Sequence, residues 1–242
     1  MDFTEFYQGR KDYLRYLYDF TEERRNRELN WSEIIEKADG PENVVCLTVD
    51  AVKGFCSEGP MCSPQMKAIV PAIAQTVREA SEAGVENLIF TCDHHTHNSA
   101  EFASWPPHCL ADTSESELED AIMELPCRPL YKIFPKSTLS SFVDTILLDH
   151  LLSLEHINTI VAMGGVTDLC LYHLVAGLRF YAISRVKPWH VIVPLNTCAT
   201  FDISCEQAKK IGARPHDELL QHTLFLEHMD NLGAEIVGKI NK

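Results

Sequence analysis

Six short apolar runs constrain the fold more than any other feature of this chain. They are Val44–Val49, Asn87–Cys92, Leu130–Phe134, Ile157–Met163, His190–Pro194 and Ala234–Val237. Each is long enough for a strand, and most are rich in β-branched residues. Helical patterning fills the gaps at Ser63–Ala83, Glu115–Leu125, Leu139–Leu152, Asp168–Ser184, Ser204–Ile211 and His216–Leu232. Strands that alternate with helices imply parallel βαβ units. The expected fold is therefore α/β, a doubly wound, mostly parallel sheet of about six strands with helices on both faces. In such a sheet the ligand site lies outside the carboxyl ends of the strands.

Three of those ends carry chemistry. The first strand runs into Asp50 and is followed by Gly54-Phe55. The third ends in Lys136, followed by Ser-Thr-Leu-Ser-Ser-Phe142. The fourth leads through Gly164-Gly165-Val166-Thr167-Asp168-Leu169 to Cys170. Thr167 or Asp168 can cap the helix that begins there. Cys170 then sits among unpaired N–H groups and the positive end of the helix dipole, a setting that favours a thiolate and offers donors to an oxyanion. A lone buried Cys is usually inert, and a lone strand-end Asp or Lys is usually a cap or a solvated group. Three strands that end in an acid, a base and a thiol point instead to nucleophilic catalysis.

A second cluster follows the Asn87–Cys92 run. Asp93-His94-His95-Thr96-His97 is succeeded by Glu101 and by Trp105-Pro106-Pro107-His108-Cys109. In an extended segment Asp93 and His95 point the same way and His94 the other. A carboxylate with imidazoles suits zinc, iron or manganese.

These motifs resemble those of the isochorismatase-like cysteine hydrolases. The resemblance rests on Asp50…Gly54-Phe55, Lys136…Phe142 and Gly164-Gly-Val-Thr-Asp-Leu-Cys170, and it spans roughly residues 44 to 237. Leu171 stands where Val is common. Within the superfamily, Asp-x-His and Trp-Pro-Pro-His-Cys look like the metal segment of nicotinamidases. The resemblance implies Asp50, Lys136 and Cys170 as catalytic residues. It implies the backbone N–H groups of Val166 and Cys170 as an oxyanion site, with a cis peptide before Val166. Asp93, His95 and His108 would be metal ligands, with Glu101 as the fourth and His97 as the alternative to it. Phe55 and Trp105 would hold the substrate ring. The cofactor would be a divalent metal, zinc first, with iron or manganese as alternatives. The substrate would be nicotinamide or a related aromatic amide, the reaction hydrolysis through a thioester, and the role NAD salvage. Other superfamily amidases acting on carbamoyl or ureido groups, or a non-catalytic metal or thiol protein on this fold, are the competing readings.

Composition excludes several classes. A net charge of −14 argues against nucleic acid as a partner. No apolar run approaches the length of a membrane span. The first residues are charged and aromatic, unlike a secretory signal. Nine cysteines, mostly inside apolar runs, suggest reduced thiols and a cytoplasmic protein. A homo-oligomer is compatible with all of this. Residues 1–42 read as an N-terminal helical extension and residues 43–242 as the hydrolase domain. In the extension, Phe3, Phe6, Tyr7, Tyr13, Leu14, Leu17 and Phe20 keep a helical period. Asn30 or Ser32 can cap a second short helix, which Asp39-Gly40-Pro41 ends. The apolar stripe would pack on its own domain or on a neighbouring subunit.

Overall fold

A computed structural model describes residues 2–242. Its strands are β1 (Glu28–Asn30), β2 (Val44–Val49), β3 (Asn87–Asp93), β4 (Tyr131–Lys136), β5 (Thr159–Gly165), β6 (His190–Pro194), β7 (Cys198–Ala199), β8 (Glu235–Val237) and β9 (Lys239–Asn241). Its helices are α1 (Phe3–Gln8), α2 (Lys11–Arg25), α3 (Trp31–Ala38), α4 (Lys53–Cys56), α5 (Pro64–Glu82), α6 (Asp120–Met123), α7 (Leu147–Ser153), α8 (Tyr172–Arg185), α9 (Cys205–Ile211) and α10 (Glu218–Asn231). The main sheet runs β4-β3-β2-β5-β6-β8, with β7 paired to β5, and every pair is parallel. The chain winds outward from β2 in one direction and from β5 in the other. The switch point therefore lies between these two strands, where such folds place a ligand.

Both faces of the sheet are apolar because the strands alternate between two cores. Val44 and Cys46 of β2, Leu88 and Phe90 of β3, and Val161 and Met163 of β5 pack with Trp31 and Ile34 of α3 and Met66 and Ile73 of α5. Val45, Leu47, Ile89, Ile160 and Ala162 pack on the other side with Leu147 and Leu151 of α7, Leu174 and Leu178 of α8, and Leu226 of α10. Helix α5 stays continuous through Pro71. Ser63 caps it by accepting the Met66 N–H at 3.2 Å.

Several elements differ from the sequence expectation. The helix expected over Glu115–Leu125 is only a 3₁₀ turn at Ser114–Ser116 and the four-residue α6. The one expected from Leu139 begins at Leu147. The preceding hydroxyls engage elsewhere: Thr138 bonds Ser140, Ser140 accepts from the Phe142 N–H, and Ser141 bonds Thr91 of β3 at 2.9 Å. Such local bonds compete with a helix. Strands β1 and β9 went unrecognised. They pair in parallel, tying residues 28–30 to residues 239–241.

The N-terminal stripe divides. Leu17 and Phe20 of α2 are buried, the latter in the core with α8 and α10, while Phe3, Phe6, Tyr7, Tyr13 and Leu14 remain exposed. Helix α3 forms as expected, with the Asn30 N–H donating to Glu33 Oε2 at 3.0 Å. Among the described residues no helix is long and apolar enough to cross a membrane.

Gly164 ends β5 with φ +109°, and a Cβ there would lie 1.9 Å from the Val49 carbonyl oxygen. Position and conformation both demand glycine. Gly164→Ala is expected to lower unfolding stability by more than about 3 kcal/mol, read as a fall in the urea midpoint at constant slope. A midpoint within experimental error of wild type would contradict the close approach of β2 and β5.

Candidate active site

The carboxyl edge of the sheet brings Lys136, Asp93, Asp50 and Cys170 together from four neighbouring strand ends. Asp93 and Lys136 are register partners on β3 and β4. Asp50 follows β2 with φ +53°, its N–H bonded to the Thr91 carbonyl at 2.9 Å. Cys170 lies in a π-helical turn, Thr167–Leu171, that leaves β5 through a cis Gly165–Val166 peptide. All four side chains are buried.

Lys136 is the hub. Its ammonium donates to Asp93 Oδ1, lies 2.7 Å from Asp50 Oδ2, donates to the Thr138 carbonyl at 3.2 Å and reaches Cys170 Sγ at 3.6 Å. The other Asp50 oxygen accepts the Asp93 N–H at 2.9 Å. Burial, and then the charge of Asp93, push the Asp50 carboxyl up to about 7 against the pull of Lys136. Asp93 goes the other way. Burial acts to raise its carboxyl, but the Lys136 charge, with His108 and His95 beside it, holds it well below the usual carboxylate range. The Cys170 thiol is pushed well above its ordinary value by burial, with Asp50 and Asp93 adding to this and Lys136 opposing. Burial thus opposes the thiolate, and the Lys136 ammonium is the group that favours it.

The helix cap expected at Thr167 or Asp168 is not formed; the turn has no side-chain cap. Both side chains are used in tertiary contacts. Thr167 Oγ1 bonds His222 Nδ1 of α10 at 2.8 Å. Asp168 accepts from Thr200 Oγ1 at 2.5 Å and from His216 Nε2 at 2.9 Å. Neither His216 nor Phe201 was a candidate site residue in the sequence. His216 was expected to open a helix, but that helix begins at Glu218 and His216 lies in a bridge to Ile203.

Asp93, His95 and His108 place one ligand atom each within 4.8 Å of one another, all buried. His94 is exposed, as strand alternation requires. The fit to a divalent cation follows from the donor set. The His108 Nδ1–H donates to the Pro106 carbonyl at 2.8 Å, which leaves Nε2 as a lone pair 3.6 Å from Asp93 Oδ2. His95 Nε2 lies 3.5 Å from the same oxygen and has no hydrogen-bond partner. Three such atoms that converge in a dry site are a donor set that suits a divalent cation. Glu101 lies beside the group but outside this spacing; burial, then Asp93, raise its carboxyl. His97 points to solvent and pairs with Asp112 at 3.2 Å. Phe102, not singled out in the sequence, packs edge-on to both His95 and His108.

The two expected substrate aromatics have different neighbours. Phe55 packs 5.5 Å from the His108 ring. Trp105 lines an open cleft of about 450 Å³ with Glu101, Thr138, Ser140 and His173. A cleft of this size suits a small planar ligand.

Two expectations follow. His95→Ala and His108→Ala should each lose stoichiometric zinc on dialysis while His97→Ala keeps it, as read by elemental analysis; full retention by His108→Ala would remove it as a ligand. His222 is pushed down to about 4 by burial and by the Arg25 charge. A folded value below the unfolded one means that stability is fully present above about pH 6.5 and is lost as pH falls towards 4, by on the order of 3 kcal/mol. Across that window, wild type should lose stability more steeply than His222→Gln in urea titrations; parallel curves would contradict it.

Residues 44–217 match the isochorismatase domain family model. Nicotinamidase 1 of Arabidopsis thaliana is 30% identical over 216 residues, covering 82% of this chain and 87% of that protein. The pyrazinamidase/nicotinamidase structure from Streptococcus mutans superposes with a TM-score of 0.62 at 24% identity, over 80% of this chain and 99% of the other. The N-carbamoylsarcosine amidase structure from Thermoplasma acidophilum gives 0.56 at 23%, over 71% and 94%. At such identities the two structures speak to the fold alone, and the fold is the same. With the family model covering most of its length, the chain belongs to the isochorismatase family and is a nicotinamidase-like hydrolase.

Proposed function

We propose that the chain hydrolyses nicotinamide to nicotinate and ammonia, with Cys170 as nucleophile. The observation that carries this reading is the buried Asp50–Lys136–Cys170 arrangement bonded directly, through Asp93, to the Asp93–His95–His108 group. Cys170 Sγ attacks the carboxamide carbon and its proton passes to Asp50, whose carboxyl, at about 7, is matched to the task near neutral pH. Lys136 remains charged and favours the anion that develops. The N–H groups of Val166 and Cys170 receive the oxyanion. Asp50 returns the proton to the departing ammonia and a thioester forms. Asp50 then takes a proton from water, which attacks the thioester; the C–S bond breaks, nicotinate leaves and Cys170 regains its proton.

Asp93, His95 and His108 would hold a divalent cation, zinc first, with Glu101 nearest at hand to join them. Once bound, such a cation supplies a Lewis-acid site for the pyridine nitrogen or for a carried water. Trp105 and Phe55 would hold the ring. The reaction belongs to pyridine-nucleotide salvage. All nine cysteines are free, as suits a reducing cytoplasm.

The test is ammonia release from nicotinamide. Cys170→Ala should abolish it while keeping the wild-type melting temperature and zinc content, and Asp50→Asn should lower kcat at least about 10³-fold. Undiminished turnover by Cys170→Ala would end the nucleophile assignment.

A further inference from the structure

We propose that Phe201 is a wall of the aromatic-amide pocket and that Asp168 and His216 are the positioning residues that hold it there. The proposal rests on the reading of the site as an aromatic-amide hydrolase. Strand β7 pairs Cys198 and Ala199 with Gly164 and Gly165, so the chain leaves it beside the loop that carries Cys170. Phe201, two residues on, is half-buried and lies edge-to-face with Trp105, with ring centroids 6.4 Å apart and planes at 88°. A planar ring stacked on Trp105 would meet Phe201 at the same right angle. Stacked and perpendicular contacts are both favourable for aromatic pairs.

The hold on Phe201 is unusually elaborate for a loop side chain. The His216 ring stacks on it at 3.9 Å and 22°. His216 Nδ1 bonds the Phe201 carbonyl at 2.7 Å, and Nε2 bonds Asp168 Oδ2 at 2.9 Å. Both partners are acceptors, so the ring is held from both of its nitrogens while its face lies on Phe201. The other oxygen of Asp168 takes the Thr200 hydroxyl, and both Asp168 and Thr200 are buried. An antiparallel bridge between Ile203 and His216 closes the segment. Asp168 stands two residues before Cys170, so one carboxylate fixes both the nucleophile's turn and the ring that would face the substrate.

The experiment measures nicotinamide affinity on zinc-loaded Cys170→Ala protein, by calorimetry, beside kcat and KM on the parent. Phe201→Ala should weaken binding and raise KM about ten-fold while kcat changes less than about three-fold. Phe201→Tyr should recover most of the affinity. Asp168→Asn and His216→Ala should move KM in the same direction, and neither should add to Phe201→Ala in the double variants, as expected for one unit. KM for acetamide, which has no ring, should not respond. If Phe201→Ala melts early, Phe201→Leu keeps the volume without the π-face and is read in its place. Unchanged nicotinamide affinity in a folded Phe201 variant overturns the proposal, as does an equal loss for acetamide. Binding without hydrolysis by the parent would end the nicotinamidase reading and still judge the wall by its affinities. If the Cys170→Ala protein binds no aromatic amide, both fall.

Discussion

A single buried ammonium holds the centre of this molecule together. Lys136 has no exposed side-chain area, and an unpaired charge there would be prohibitively costly. Asp50 and Asp93 compensate it, and each in turn needs Lys136, because two carboxylates bonded through the Asp93 N–H would otherwise repel one another. The three groups carry a net charge of −1 in a dry space. That excess lies at Asp93, whose second oxygen faces two imidazole nitrogens. A divalent cation at that point would reverse the local charge. The Cys170 thiol at one end and the Asp-His-His group at the other are thus parts of one electrostatic unit, joined through Asp93.

The sheet supplies the geometry this unit requires. Asp93 and Lys136 face each other because β3 and β4 are in parallel register. Asp50 joins them because β2 ends one step earlier, with Val49 beside Thr91 on β3 and beside Gly164 on β5. Parallel strands end on one edge, so groups far apart in sequence converge within reach of the Lys136 side chain. The close passage of Gly164 against the Val49 carbonyl brings the Cys170 turn down onto the same edge.

The legible parts of the sequence were those in which local pattern and tertiary structure agree. The inner strands β2, β3, β5 and β6 are apolar on both faces, so their runs stand out against the polar connections. Their terminal Asp50 and Asp93 are conspicuous for the same reason, as charged residues at the ends of buried runs. The pairing of Asp93 with His95 was legible through alternation, which buries both and exposes His94, whereas His108 entered only through the resemblance. Elsewhere tertiary partners overrode local preference. Asp168 has the chemistry of a cap, yet its carboxylate is taken by Thr200 and His216, which lie 32 and 48 residues further on. Ser140 and Ser141 divert a stretch with helical periodicity into turns. Strands β7 and β9 are two and three residues long and have no pattern to read.

The use of Asp168 shows why a misplaced cap is informative. A capping carboxylate needs only the N–H groups of its own turn, and its loss costs about 1 kcal/mol. A carboxylate that reaches across to an imidazole leaves the turn uncapped, so the turn must be held from outside. That is what the π-helical geometry at Thr167–Leu171 reflects: its first hydroxyl is fastened to α10 by His222 and its carboxylate to the segment after β7 by His216. The turn that carries Cys170 is therefore held by two later segments of the chain as well as by its own helix. Asp168 joins that turn to the segment that carries Phe201, so the two share one carboxylate.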